Sequence, residues 1–215
     1  EMDRRLYRRL PGSRAAGIRS HYLFMLLHSH MEIYLIRHTT PAIESGICYG
    51  ASDVDVAAGF ETEAAHVKAL LPAKALDVYT SPLQRCEKLA AALFGNGYIK
   101  DDRLKEMNFG DWEMLPWDNI SRNALRKWAD NVVFEHIPGG ESYEELYTRS
   151  IQLLEEIIEK GNDAVLVTHG GVIRCILAHV TDTPLVDAFD ITVDYGRVSH
   201  LQAENGEVAV IFSNL

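Results

Sequence analysis

Two histidines, two arginines and one glutamate are spaced so that reactive groups fall at or just beyond apolar runs. Arg37-His38 directly follows Glu32-Ile33-Tyr34-Leu35-Ile36, and Arg85 lies a few residues beyond Asp77-Val78-Tyr79-Thr80. His169-Gly170 follows Ala164-Val165-Leu166-Val167-Thr168, while Glu106 arrives separately within Leu104-Lys105-Glu106-Met107-Asn108-Phe109-Gly110. Singly, each has a plain structural explanation. A histidine at a strand end is commonly structural, and an arginine early in a helix commonly faces solvent. Converging on one edge, they would make a cationic pocket inside an acidic protein.

Such a set suits phosphoryl transfer. A neutral imidazole nitrogen can attack phosphorus and hold the phosphoryl group covalently, splitting one hard step into two easier ones. The planar fork of arginine matches phosphate oxygens, and fixed cations stabilise the charge that builds on those oxygens. A helix opening near Gly170 would offer backbone N–H groups to the same anion. A glutamate kept protonated by an apolar neighbour such as Met107 or Phe109 could protonate the leaving alkoxide. For that, Glu106 must lie toward the leaving group and away from the arginines, which would strip its proton.

The elements that would position these groups alternate. The runs before His38 and His169 are almost continuously apolar, as in strands covered on both faces. Residues 61–71 read as a helix ended by Pro72, and residues 77–80 as a strand. Ser81-Pro82 reads as an N-cap with proline in the first helical position, opening a helix through Phe94. In residues 141–160, Tyr143, Leu146, Tyr147, Leu154, Ile157 and Ile158 share one stripe at helical spacing, which leaves most of the glutamates on a solvated face. A helix runs from Gly170 to about Val180, and Asn205-Gly206 signals a hairpin between residues 197–202 and 207–212. Strand–helix alternation predicts an α/β fold, a three-layer α/β/α sandwich with a mainly parallel central sheet. Ligands of such sheets bind beyond the carboxyl ends of the strands.

With Lys+Arg 21 against Asp+Glu 31, the formal net charge is −10 over 215 residues. Nucleic-acid binding depends on neutralising phosphates with basic side chains, so no nucleic-acid partner is expected, and any anionic ligand must be drawn by a local pocket. No apolar run approaches the roughly 18 residues of a membrane helix, so no membrane partner is expected. Cys48, Cys86 and Cys175 match neither a disulfide framework nor a zinc pattern. They read as buried thiols in a reducing, cytoplasmic setting. Residues 1–30 carry Arg4, Arg5, Arg8, Arg9, Arg14 and Arg19 against Glu1 and Asp3. They are expected to be a basic, non-native or disordered extension, with Met31 as the natural start and residues 31–215 as one domain.

Four segments, taken together, resemble the histidine phosphatase superfamily, the phosphoglycerate mutase-like fold. They are Leu35-Ile36-Arg37-His38-Thr39, Ser81-Pro82-Leu83-Gln84-Arg85, residues 104–113, and Val167-Thr168-His169-Gly170-Gly171. The resemblance implies that His38 is phosphorylated, that Arg37, Arg85 and His169 bind the phosphoryl group, and that Glu106 is the proton donor. No cofactor or metal is expected, since no carboxylate cluster suggests a catalytic metal, and the expected partner is a small-molecule phosphate monoester. Thr39, Ser52 and Gly170 are expected to touch substrate. Thr39-Thr40-Pro41, Gly46-Ile47-Cys48-Tyr49-Gly50 and Ser52-Asp53-Val54 are most similar to α-ribazole phosphatases, which implies α-ribazole 5′-phosphate as substrate. Thr39 stands where glycine is common, and Ala51 where related sequences often carry arginine. A broad phosphatase, a phosphoglycerate mutase and a non-catalytic phosphate-binding module are the competing readings. A homodimer is left open.

The remaining histidines His66, His136, His179 and His200 lack metal-ligand spacing. Trp112, Trp117 and Trp128 read as packing, with Trp112 a candidate wall beside Glu106. Pro138-Gly139-Gly140-Glu141-Ser142 reads either as a loop near substrate or as a plain helix start.

Overall fold

The computed structural model describes residues 30–215, so all of the basic extension except His30 lies outside the described residues. Six strands form one sheet in the order β3-β2-β4-β1-β5-β6. They are β1 Met31–Arg37, β2 Asp77–Thr80, β3 Ile99–Lys100, β4 Ala164–Thr168, β5 Val198–Glu204 and β6 Glu207–Phe212. The pairings β1–β4, β2–β4 and β2–β3 are parallel, while β5 and β6 add an antiparallel edge. Asn205 (φ 53°) and Gly206 (φ 82°) make the turn between them, and two left-handed residues in succession suit a tight hairpin.

Alternate residues of β1 feed two cores. Ile33 and Leu35 pack with the helices α4 Tyr143–Lys160 and α5 Gly170–Val180. Tyr34 and Ile36 pack on the other face with α1 Phe60–Leu70 and α2 Gln84–Phe94. Helices on both faces explain why the central strands are apolar throughout, and each fully buried aliphatic side chain is worth about 1.5–3 kcal/mol.

Two helix starts differ from expectation. Helix α2 opens at Gln84, not at Ser81-Pro82. The Ser81 hydroxyl contacts His169 at 2.8 Å and the Leu83 amide at 3.3 Å, while the helix is capped from outside by Asp53, whose carboxylate accepts from the Gln84 amide at 2.7 Å. Helix α4 opens at Tyr143 behind a reciprocal Ser142–Glu145 capping box, a known N-terminal lock. Strand β3 and the short helix α3 Arg122–Asp130 have no counterpart in the sequence reading, because neither contributes a fully buried side chain that would show as a periodic apolar pattern.

Candidate active site

The register of the central strands assembles the site. Arg37 of β1 lies beside Thr168 of β4, and the His38 amide donates to the Thr168 carbonyl at 3.0 Å. His38 and His169, the next residues in each strand direction, therefore emerge side by side at the carboxyl edge, with ring centroids 5.0 Å apart. Ser81 leaves β2 at the same edge, its amide donating to the Val167 carbonyl at 2.9 Å.

The backbone orients the ring of His38. Its Nδ1 lies 2.7 Å from the Thr39 carbonyl oxygen, which can only accept, so Nδ1 carries the hydrogen. In the neutral ring the lone pair then sits on Nε2. The Arg85 Nε–H donates to that same Nε2 at 3.3 Å, as a lone pair requires. His38 is 2% exposed. Burial first, and then the charges of Arg85 and Arg37, hold its pKa well below the ordinary histidine value. The imidazole stays neutral, as attack on phosphorus demands.

Arg85 has no exposed surface, yet none of its partners is a carboxylate. Its two terminal nitrogens donate to the carbonyls of Ser52 at 2.7 Å and Gly50 at 2.6 Å. Those carbonyls are aimed by Glu113, whose carboxylate accepts from the amides of Gly50, Ala51, Ser52 and Phe109 and from the Ser52 hydroxyl. Gly50 is required here, because a Cβ would fall 1.9 Å from the Met107 carbonyl oxygen. A buried guanidinium with no carboxylate partner among the described residues leaves net positive charge beside Nε2 of His38.

Arg37 donates to the Val193 carbonyl at 2.5 Å and lies 3.7 Å from the ring centroid of Tyr195. Its Nε and the hydroxyl of Thr39 are buried with no hydrogen-bond partner among the described residues, and such groups are uncommon outside sites built for a ligand. His169 has no exposed surface, and burial followed by the Arg85 and His38 charges holds its pKa well below the ordinary value. Cys86 Sγ lies 3.4 Å from His169 Nε2, and burial keeps it a thiol. Gly170 lies against the guanidinium of Arg37.

The side chain of Glu106 is seated by two backbone amides. Its Oε1 accepts from the Met107 amide at 2.9 Å and its Oε2 from the Gly171 amide at 3.0 Å. The N-terminus of α5, expected to serve a phosphate, thus gives its Gly171 amide to the glutamate. The segment that carries Glu106 is fixed by Arg149, which donates to the carbonyls of Arg103, Lys105 and Glu106 and pairs with Glu141. Leu104 is tied to β4 through the Thr168 hydroxyl.

The structure therefore brings together Arg37, His38, Arg85 and His169, with Thr39 and Gly170 beside them. Glu106 is joined to the group through Gly171. Ser52 enters through its carbonyl, since its hydroxyl is engaged by Glu113. Trp112 is buried and packs edge-on against Trp128 at 5.9 Å, in the core rather than at the pocket wall. The loop 138–142 is locked against residues 108–111 by Glu141, which accepts from the Asn108 amide. Four further contributors, Asp53, Glu113, Arg149 and Tyr195, escaped the sequence reading. Each acts through a contact far along the chain, and only the places of Asp53 in the segment 52–54 and of Glu113 in the segment 104–113 hinted at a role. His66, His136, His179 and His200 contact Arg197, Glu145, Tyr147 and Glu32 respectively. Among the described residues no three His, Cys, Asp or Glu side chains converge as a metal site would, and no helix is long and apolar enough to cross a membrane.

Residues 33–215 match the family described as the histidine phosphatase superfamily, branch 1. Phosphoglycerate mutase-like protein 4 of Arabidopsis thaliana is 34% identical over 161 residues, covering 68% of this chain and 70% of its own. Glucosyl-3-phosphoglycerate phosphatase of Mycolicibacterium vanbaalenii is 28% identical over 188 residues, covering 80% and 83%. The crystal structure of an α-ribazole phosphatase from Shigella flexneri superposes with a TM-score of 0.75 at 22% identity, covering 86% of this chain and 96% of its own, a likeness of fold. Sheet order, paired histidines, buried arginine and family match agree: the chain belongs to the histidine phosphatase superfamily, branch 1.

Proposed function

We propose that this chain is a phosphomonoesterase working through a phosphohistidine at His38. The observation that carries the reading is geometric: Nδ1 of His38 lies 2.7 Å from the Thr39 carbonyl oxygen, and the Arg85 Nε–H donates to its Nε2 at 3.3 Å. In the first step His38 Nε2 bonds to phosphorus as the ester P–O bond breaks, and Glu106 gives a proton to the departing alcohol oxygen. In the second, water attacks phosphorus, Glu106 takes its proton, and the P–N bond breaks to release phosphate and free His38. Arg37 and Arg85 neutralise the charge on the transferring oxygens, with His169 and the Thr39 hydroxyl as neutral hydrogen-bonding partners.

The substrate we favour is α-ribazole 5′-phosphate, a late intermediate of cobalamin synthesis, on the similarity of residues 39–54 to α-ribazole phosphatases. A phosphate-binding module would need neither a poised nucleophile nor an acid. A mutase is less well supported, because the segment after His38 lacks the usual mutase continuation. Three free, buried cysteines suit a reducing, cytoplasmic setting. The test is phosphate release, with EDTA present, from α-ribazole 5′-phosphate, 3-phosphoglycerate, fructose 2,6-bisphosphate and an aryl phosphate. A preference of a hundredfold or more for the first supports the assignment. Comparable slow turnover of all four would leave a broad phosphatase, and isomerised 3-phosphoglycerate without phosphate release would indicate a mutase.

A further inference from the structure

The reactive groups are almost completely covered. His38, Arg85 and His169 are 2%, 0% and 0% exposed, so a phosphate ester cannot reach Nε2 unless something yields. Arg85 is anchored to two backbone carbonyls and His169 touches the Ser81 hydroxyl. On another side of His38 lies the ring of Tyr195, with centroids 5.4 Å apart. Tyr195 is only partly buried, and its side chain is held by two side-chain contacts. Its hydroxyl is hydrogen-bonded to the hydroxyl of Tyr49 at 2.5 Å, and its ring lies over the Arg37 guanidinium. Tyr49 in turn sits above Arg85, with 5.5 Å from the guanidinium carbon to the ring centroid. Each phosphate-facing arginine thus has a tyrosine ring over it, and one hydrogen bond joins the two rings. Next to Tyr49, Gly50 packs against Phe109, which meets Trp117 edge-on at 5.8 Å.

We propose that Tyr49 and Tyr195 are the specificity-determining residues of this site: their bridged rings part to admit the ester and then pack against its alcohol portion, favouring alcohols that carry a planar ring. The inference rests on the phosphomonoesterase reading and narrows its substrate class. A ring packed on an aromatic side chain gains roughly 0.5–1.5 kcal/mol, whereas a compact alcohol gains little. Joined by an uncharged hydrogen bond, the two phenols can separate without leaving a buried charge unpaired.

The experiment compares kcat/KM for a ring-bearing ester, a nucleoside 5′-monophosphate or 4-nitrophenyl phosphate, with that for compact phosphoserine. It uses the wild type, Tyr195→Ala, Tyr195→Phe and Tyr49→Ala, with thermal unfolding run on each. The wild type is expected to favour the ring-bearing esters. Either alanine variant should reduce that preference about three- to tenfold, chiefly through KM, the span that 0.5–1.5 kcal/mol represents, and Tyr195→Phe should restore it. A purely structural role would lower all substrates together and leave the ratio unchanged. An unchanged ratio, or a wild type that prefers phosphoserine, overturns the proposal. Phosphohistidine labelling at His38 in the wild type separates the two failures. Labelling with an unchanged ratio refutes only the tyrosine pair, while no labelling refutes the phosphatase reading and this inference with it.

Discussion

The amide of Gly171 donates to Oε2 of Glu106 at 3.0 Å, joining the first turn of α5 to a carboxylate 65 residues earlier in the chain. A Cβ at position 171 would lie 2.2 Å from Oε1 of the same carboxylate. Gly171→Ala should therefore push the acid off its seat. We expect kcat to fall by about 10²-fold, within the range of general acid contributions, with phosphate binding retained. Steady-state kinetics and isothermal titration with inorganic phosphate check this; undiminished kcat would show that Glu106 does not act from this position.

His38→Ala should abolish turnover, and Glu106→Gln should reduce it by about two orders of magnitude or more. Near-normal hydrolysis of an alkyl phosphate by either variant would remove that residue from its role.

The two buried histidines make stability depend on pH. In the folded chain, burial and the neighbouring arginine charges hold both pKa values well below the ordinary value of 6.5. The unfolded chain takes up these protons near pH 6.5, the folded chain only at much lower pH, so U binds more protons in that interval. Stability is then fully present above about 6.5 and declines as pH falls below it, with a limiting slope of about 1.4 kcal/mol per pH unit for each histidine. Urea unfolding between pH 8 and 5 should show this slope, and His169→Gln should reduce it. The acid limb of kcat/KM that reports His38 should likewise lie below 6.5, and Arg85→Gln should move it upward.

Turnover should survive EDTA, because Arg37 and Arg85 already supply the positive charge that a metal would bring to the phosphoryl oxygens. Activity lost to chelation and restored by magnesium would contradict this.

Glu113 accepts four amides and one hydroxyl. Glu113→Ala leaves those donors without their acceptor and frees the carbonyls that hold Arg85. A loss of about 2–4 kcal/mol follows from charge-assisted bonds of this kind, with a raised KM. Denaturant unfolding that matches the wild type would refute it.

Much of this protein is written locally. Apolar runs of strand length, the Asn205-Gly206 turn and the stripe on α4 each declare an element through short-range pattern, and polar residues that end an apolar run mark where chemistry can sit. His38, Arg85 and His169 were legible for that reason, and Glu106 through the motif around it. Pattern could not show that Asp53 rather than Ser81 caps α2, because a side chain from a distant loop outcompetes the local candidate once the chain is packed. Nor could it show that the first turn of α5 holds Glu106, that Arg149 gathers three carbonyls, or that Tyr49 and Tyr195 meet over the arginines. These are contacts between residues tens to more than a hundred positions apart, and only strand register and close packing bring such atoms within hydrogen-bonding range. Sequence alone nominated the groups that could do the chemistry, and the tautomer of His38 rests on its own neighbour Thr39; tertiary structure decided the seat of Glu106 and the rings beside His38, because each depends on where a remote backbone atom or ring comes to rest.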